Sequence, residues 1–179
     1  MFAIVSLLDA FATERVRTIW DALEESCGLK GIQLTPYPHF SWQIDESYPE
    51  AETSAVLEVI ARETKPFYVY TSGVGIFTGV KPVVYLSLAK DDTLLYLHSL
   101  LWDKAGPFAA DLNSNYAPEA WEPHITLARS DVTYENLHCA LGELSMQKYQ
   151  WEIRIDHFAL VSQTGDQIGG IIRYFPFGG

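Results

Sequence analysis

Pro38-His39-Phe40-Ser41-Trp42 and, 85 positions later, Pro123-His124-Ile125-Thr126-Leu127 are one five-residue pattern written twice: proline, histidine, an apolar residue, a hydroxyl residue, an apolar residue. Side chains alternate between the two faces of a β-strand, so His39 and Ser41 share one face while Phe40 and Trp42 share the other. The second copy sets His124 and Thr126 against Ile125 and Leu127 in the same way. Each copy therefore predicts a strand with an apolar side for a core and a polar side carrying one imidazole and one hydroxyl. The prolines of Thr35-Pro36-Tyr37-Pro38 favour extended backbone at the first entrance and exclude a helix.

Reading outward, Phe2–Leu8 is a compact apolar run with the character of a buried strand, and Thr13–Glu25 has helical spacing that stops at Gly28. After the first His strand, Glu50–Glu63 reads as an amphipathic helix with Ala55, Val59 and Ile60 toward the core. Phe67–Phe77 alternates as a strand, with Gly73 and Gly75 marking a kink, a bulge or a close backbone approach. Val83–Leu88 is a further strand, and Asp91 or Asp92 caps a helix running to about Lys104, with Leu94, Leu95, Leu97, Leu101 and Trp102 forming its apolar face. Residues 108–120 read as a loop, most polar at Asn113-Ser114-Asn115. The second His strand ends at Arg129, a helix spans about Tyr134–Met146, and two strands follow, Trp151–Val161 and Ile168–Phe177, joined by a turn at Thr164-Gly165-Asp166. The order is strand, helix, strand, helix, two strands, helix, strand, helix, two strands, which reads as one unit repeated with the His motif on the second strand of each half. This predicts one α+β domain over 1–179, built as two sheet lobes with outer helices and a cleft between them.

Two opposed imidazoles suit a reaction that removes a proton on one side and supplies one on the other. With ordinary pKa values near 6.5, one can be neutral while the other is protonated, and each contributes about 10²- to 10⁴-fold as base or acid. In-line displacement at phosphorus has this requirement, and Ser41 and Thr126 can donate to the non-bridging oxygens. The chemistry requires neither a metal nor a cofactor. The other three histidines, His98, His138 and His157, form no metal-binding spacing.

The formal charge of −11, with only 12 Lys and Arg and no basic run, disfavours a surface that grips long nucleic acid. A small anion or an RNA end remains compatible with one local arginine. Cys27 and Cys139 stand alone and read as reduced, buried thiols. No apolar run spans a bilayer, and Met1–Ala12 lacks the basic start of a signal peptide, so a cytoplasmic monomer without a membrane partner is expected.

The paired motifs resemble those of the 2H phosphoesterase superfamily, which includes the RNA 2′,3′-cyclic phosphodiesterases also called 2′-5′ RNA ligases. His39-Phe40-Ser41 and His124-Ile125-Thr126 match its two His-x-Ser/Thr motifs. Gly73-Val74-Gly75-Ile76-Phe77 with the Val83–Leu88 strand is similar to its central segment, His124–Arg129 to its second motif with a trailing arginine, and Leu160–Ser162 with Tyr174 to its closing strands. Ser41 stands where threonine is commoner, and Trp42-Gln43 where smaller residues are usual. The resemblance implies a two-lobed, pseudo-symmetric fold with the histidines facing across a groove. It also implies hydrolysis of a 2′,3′-cyclic phosphate or related nucleotide or RNA-end phosphodiester, with Ser41 and Thr126 holding the phosphate; His124 is read as base and His39 as acid, roles that the symmetry of the motif allows to be exchanged. A 2′-5′ RNA ligase, a tRNA-processing factor and a non-catalytic nucleotide or RNA-end binder are the alternatives on the same scaffold; the acidic charge fits a hydrolase better than a dedicated tRNA ligase. Arg129 is expected as a substrate contact at the groove mouth or a plain surface charge, and Tyr174 as a base-stacking residue or a core tyrosine.

Overall fold

The computed structural model describes residues 1–164 and 167–178. Its elements are β1 (Phe2–Leu7), α1 (Ala10–Cys27), β2 (His39–Asp45), α2 (Glu50–Glu63), β3 (Phe67–Phe77), β4 (Val83–Leu88), α3 (Asp92–Ala105), β5 (His124–Ala128), α4 (Tyr134–Ser145), β6 (Glu152–Ile155), β7 (His157–Thr164) and β8 (Gln167–Pro176). Local chemistry sets the helix ends. Asp9 accepts from the Ala12 N–H and Asp91 from the Leu94 N–H, while Thr133 and Asn136 form a reciprocal capping box at the start of α4. Gly28, at φ 70°, closes α1 in the left-handed conformation that glycine adopts without steric cost.

Two antiparallel four-stranded sheets result, in the orders β2-β1-β7-β8 and β5-β4-β3-β6. This is the expected α+β, two-lobed architecture, and in each sheet the His strand lies at one edge. The alternation inferred from the motifs holds. Phe40, Trp42, Ile125 and Leu127 are buried, whereas His39, Ser41, His124 and Thr126 are half-buried. The Trp42 indole donates to Ser6 Oγ, which in turn donates to the His157 carbonyl, so the polar atom of this core ring is satisfied through β1 and β7.

Helices α1 and α3 do not stay with the sheet they follow in sequence. α1 packs with α4 and against β5, whereas α3 packs with α2 and against β2. Each His strand is thus backed by a helix from the other half of the chain. The expected bulge in β3 is present: the register with β4 shifts between Thr71 and Gly73, where Gly73 has φ 139°. Gly75 makes a close approach, since a Cβ there would lie 2.5 Å from the Tyr85 ring.

Four expectations are corrected. The expected strand Trp151–Val161 is two strands, β6 pairing with β3 and β7 with β1, and the chain changes sheets at Asp156. Continuous β-character in the sequence cannot reveal a change of partner. In α2, Ala55 and Val59 are exposed, and the buried face is Thr53, Ser54, Leu57, Ile60 and Ala61; in α3, Leu95 faces solvent. Both helices carry more apolar residues than one face can bury, and only the packing of α2 on α3, β7 and β8 selects the stripe. The turn expected at Thr164-Gly165-Asp166 falls partly outside the described residues, which omit Gly165 and Asp166.

The fourth correction concerns the cysteines. Cys27, at the end of α1, and Cys139, in α4, form a disulfide across 112 positions of sequence, with Cα atoms 5.6 Å apart. The contact of α1 with α4 makes this pairing possible, and such links persist where the surroundings are oxidising. Among the described residues no helix is long and apolar enough to cross a membrane. Closing a loop of this size stabilises the fold by about 2–4 kcal/mol. The double variant Cys27→Ser/Cys139→Ser should lose that amount in denaturant unfolding. Dithiothreitol should lower the stability of the wild type similarly and leave the variant unchanged.

Candidate functional site

The two His strands hold their imidazoles identically. His39 Nδ1 lies 3.0 Å from the Tyr37 carbonyl and His124 Nδ1 lies 2.6 Å from the Glu122 carbonyl, in each case two residues upstream. A carbonyl oxygen only accepts, so each Nδ1 carries the proton and each Nε2 is left with its lone pair. The outward carbonyls of these edge strands are also satisfied alike. Trp121 Nε1 donates to the Ser41 carbonyl and Trp20 Nε1 to the Thr126 carbonyl, both at 3.1 Å.

Between the strands lies a cavity of about 960 Å³ lined by His39, Ser41, His124 and Thr126, together with Arg129 and Tyr116. The four motif residues expected to act together therefore meet at one cavity, and Arg129 reaches it as well. The aim of Arg129 depends on a tight local arrangement. Asp131 accepts from the N–H groups of Lys30 and Gly31 at 2.8 Å each, pressing the segment after α1 onto the turn that follows Arg129. A Cβ at Gly31 would lie 2.3 Å from the Arg129 carbonyl, so only glycine fits. Ser130, which also lines the cavity, takes φ 74°, a left-handed conformation uncommon for a residue with a side chain.

Burial dominates the electrostatics. It lowers the His39 pKa to about 4; the Tyr37 carbonyl opposes this, and the charges of His124 and Arg129 reinforce it. Burial also lowers His124, against the Glu122 carbonyl and carboxylate, both of which favour its protonated form. The sequence-based picture of two imidazoles near 6.5 is therefore displaced downward, because desolvation penalises the imidazolium. The His124 ring is held by aromatic edges, with Phe77 at 4.8 Å and Tyr85 at 5.1 Å between centroids.

Sequence reasoning missed several cavity and support residues. Tyr116 interacts through its hydroxyl with Ser41, and its pKa is raised to about 12 by burial, so the phenol stays protonated. Its loop is anchored by Asp45, which accepts from the N–H groups of Ala110 and Asp111. Asn113 and Asn115, already the most polar part of that loop in sequence, line the cavity, as does Lys81 from the β3–β4 hairpin. Trp121, which caps Ser41, is stacked on buried His98 at 3.8 Å. His98, at 1% exposure, is thus a support for the site, and burial lowers its pKa to about 4. The aromatic-rich loop just before the second motif was the available sequence signal.

Tyr174 is not brought to the cavity lining. It is 49% exposed on β8 and packs edge-on against His157 at 5.3 Å, so it is not a core tyrosine either. Among the described residues no group of three His, Cys, Asp or Glu side chains is placed to hold a metal ion.

Comparison with known proteins places the chain in a family and agrees with its fold. The family model of the 2′-5′ RNA ligase superfamily matches residues 9–167. A protein of Oceanobacillus iheyensis named as a phosphoesterase, OB1230, is 30% identical over 138 residues, covering 77% of this chain and 76% of its own. A like-named protein of Bacillus cytotoxicus is 25% identical over 150 residues, 79% of each chain. In structure, TT0787 of Thermus thermophilus superposes with a TM-score of 0.66 at 19% identity, over 99% of this chain and 98% of its own. LigT of E. coli, solved with 3′-AMP, gives 0.60 at 18% identity over 98% and 94%. The two structures share the fold, the family model covers nearly the whole sequence, and this chain belongs to the 2′-5′ RNA ligase superfamily of 2H phosphoesterases.

Proposed function

We propose that the protein is a phosphodiesterase that hydrolyses a 2′,3′-cyclic phosphate, or a related nucleotide or RNA-end phosphodiester, by acid-base catalysis between His39 and His124. The observation that carries this reading is that both imidazoles give up Nδ1–H to a backbone carbonyl and keep Nε2 free beside one cavity with two hydroxyls and an arginine. The names of the curated relatives and the 3′-AMP in the LigT structure support the same substrate class.

The unequal surroundings favour the reverse of the acid and base roles expected from sequence. Desolvation, with the charges of His124 and Arg129 adding to it, holds His39 neutral, which suits a base; desolvation lowers His124 as well, but there the Glu122 carboxylate opposes the fall, which makes His124 the better suited of the two to the acid role. Water attacks phosphorus, its proton passes to His39 Nε2, the bond to the leaving ribose oxygen breaks, and His124 Nε2 protonates that oxygen. Ser41 and Thr126 donate to the non-bridging oxygens, Arg129 offsets their charge, and the Tyr116 phenol orients Ser41. Binding of the phosphate anion raises both imidazole pKa values toward working pH.

With a 2′,3′-cyclic nucleotide as substrate and EDTA present, His39→Ala and His124→Ala should each lose about 10²- to 10⁴-fold in kcat. Full turnover by either variant rules out the mechanism, binding without turnover by the wild type identifies a non-catalytic binder, and joining of RNA halves on a gel identifies a ligase. Tyr116→Phe should lower kcat/KM by about tenfold through loss of one hydrogen bond to a polar, charged site. The sign of the pH dependence follows from the lowered imidazoles. The kcat/KM profile, which reports free enzyme, should have its alkaline limb below pH 6.5, and the kcat profile should have it at higher pH. A kcat/KM that still rises through pH 7 contradicts the assignment.

A further inference from the structure

Tyr37, whose carbonyl holds His39 Nδ1, lies outside the ladder of β2, which begins at the pairing of Leu7 with His39. Pro36 and Pro38 flank it and have no N–H to donate. Their carbonyls accept from the Arg17 guanidinium at 3.4 Å and the Leu8 N–H at 3.3 Å, both longer than the usual range. The backbone at Tyr37 is therefore weakly held, and its side chain supplies the anchor. The Tyr37 hydroxyl donates to the Gly169 carbonyl of β8 at 2.8 Å, across 132 positions of sequence. Its ring packs on the sheet face formed by Ala3, Val5, Ala159 and Val161 and meets the His39 ring edge-on at 6.1 Å. The second motif is built alike: Glu122, whose carbonyl holds His124, is fixed through its carboxylate to Lys90 Nζ at 2.8 Å.

We propose that Tyr37 is a positioning residue for His39: its hydroxyl, fixed to Gly169, keeps its carbonyl on His39 Nδ1 and so keeps the lone pair on Nε2. This rests on the reading of His39 as the base given above. A neutral imidazole carries its proton on one nitrogen or the other, and only the Nδ1–H form can take a proton at Nε2 from the attacking water. With the anchor cut, the Tyr37 carbonyl drifts, the bond from Nδ1–H weakens, and part of the population carries the proton on Nε2 instead. That part is inactive, because an Nε2–H group donates where the water needs an acceptor. Tautomer and rate are thereby linked: kcat/KM, which reports free enzyme, falls in proportion to the loss of the Nδ1–H form.

Tyr37→Phe removes the hydroxyl and keeps the ring. Imidazole ¹⁵N shifts of the full chain at about pH 8, where neutral imidazoles dominate, report the tautomer of each histidine, assigned with His39→Gln and His124→Gln. The wild type should show His39 and His124 in the Nδ1–H form. In Tyr37→Phe, His39 should move toward the Nε2–H form while His124 stays. In step with this, kcat/KM for a 2′,3′-cyclic nucleotide should fall about twofold to tenfold, the range for loss of one hydrogen bond. Tyr37→Ala should move both readings further in the same direction. Wild-type indole resonances of Trp20 and Trp42 report that a variant is folded, and Tyr37→Phe decides alone if Tyr37→Ala is not. A His39 tautomer that does not change in folded Tyr37→Phe, a change in tautomer or in kcat/KM without the other, or equal movement of both histidines makes Tyr37 a plain structural residue and overturns the proposal. Full turnover by His39→Ala overturns the acid-base reading instead; the tautomer measurement needs no activity, so the two failures are distinct.

Discussion

Two tryptophan indoles hold the two His-motif strands in place. β2 and β5 are edge strands, and an edge leaves backbone groups without partners. Trp121 satisfies the Ser41 carbonyl and Trp20 the Thr126 carbonyl, so each motif is pinned at its hydroxyl residue from outside its own sheet. A buried carbonyl left unpaired costs about 1–3 kcal/mol, which makes these bonds strong determinants of where the strands sit. Because Trp20 belongs to α1 and Trp121 stacks on His98 of α3, the exchange of helices between the sheets is what delivers both supports.

The same packing sets the electrostatics of the groove. Desolvation in one partly dry cavity lowers the pKa of both histidines, with the charges of His124 and Arg129 adding to it at His39 only, and the carbonyl of the residue two places upstream limits the fall on each side. The pseudo-symmetry of backbone geometry is broken by side chains among other features: Arg129 acts on His39 and Glu122 on His124. A nearly symmetric scaffold thereby acquires a direction. The loop carrying Tyr116 adds to this asymmetry, since it closes on Ser41 from one lobe only and is tied down by Asp45.

Much of this was legible beforehand. Alternation within Pro38–Trp42 and Pro123–Leu127 identified the core and groove faces of both His strands, and the end signals at Asp91 and Gly28 placed helix ends to within a few residues. Gly73 and Gly75 announced a bulge and a close approach. Not legible were the face of α2, the division at Asp156, the position of Tyr174 and the pairing of Cys27 with Cys139. Each of these is a contact between segments far apart in sequence, and none leaves a periodic trace.

The sequence by itself determined the element order as far as Trp151, the two polar strand faces and the identity of the residues offered for chemistry, because strand alternation, helix spacing and capping are properties of neighbouring residues. Only the tertiary structure decided that α1 and α3 cross to the opposite sheets, that β7 returns to pair with β1, and that burial pulls the paired imidazoles below their ordinary range. Those outcomes depend on which surfaces exclude water together, a quantity fixed by packing across the whole chain.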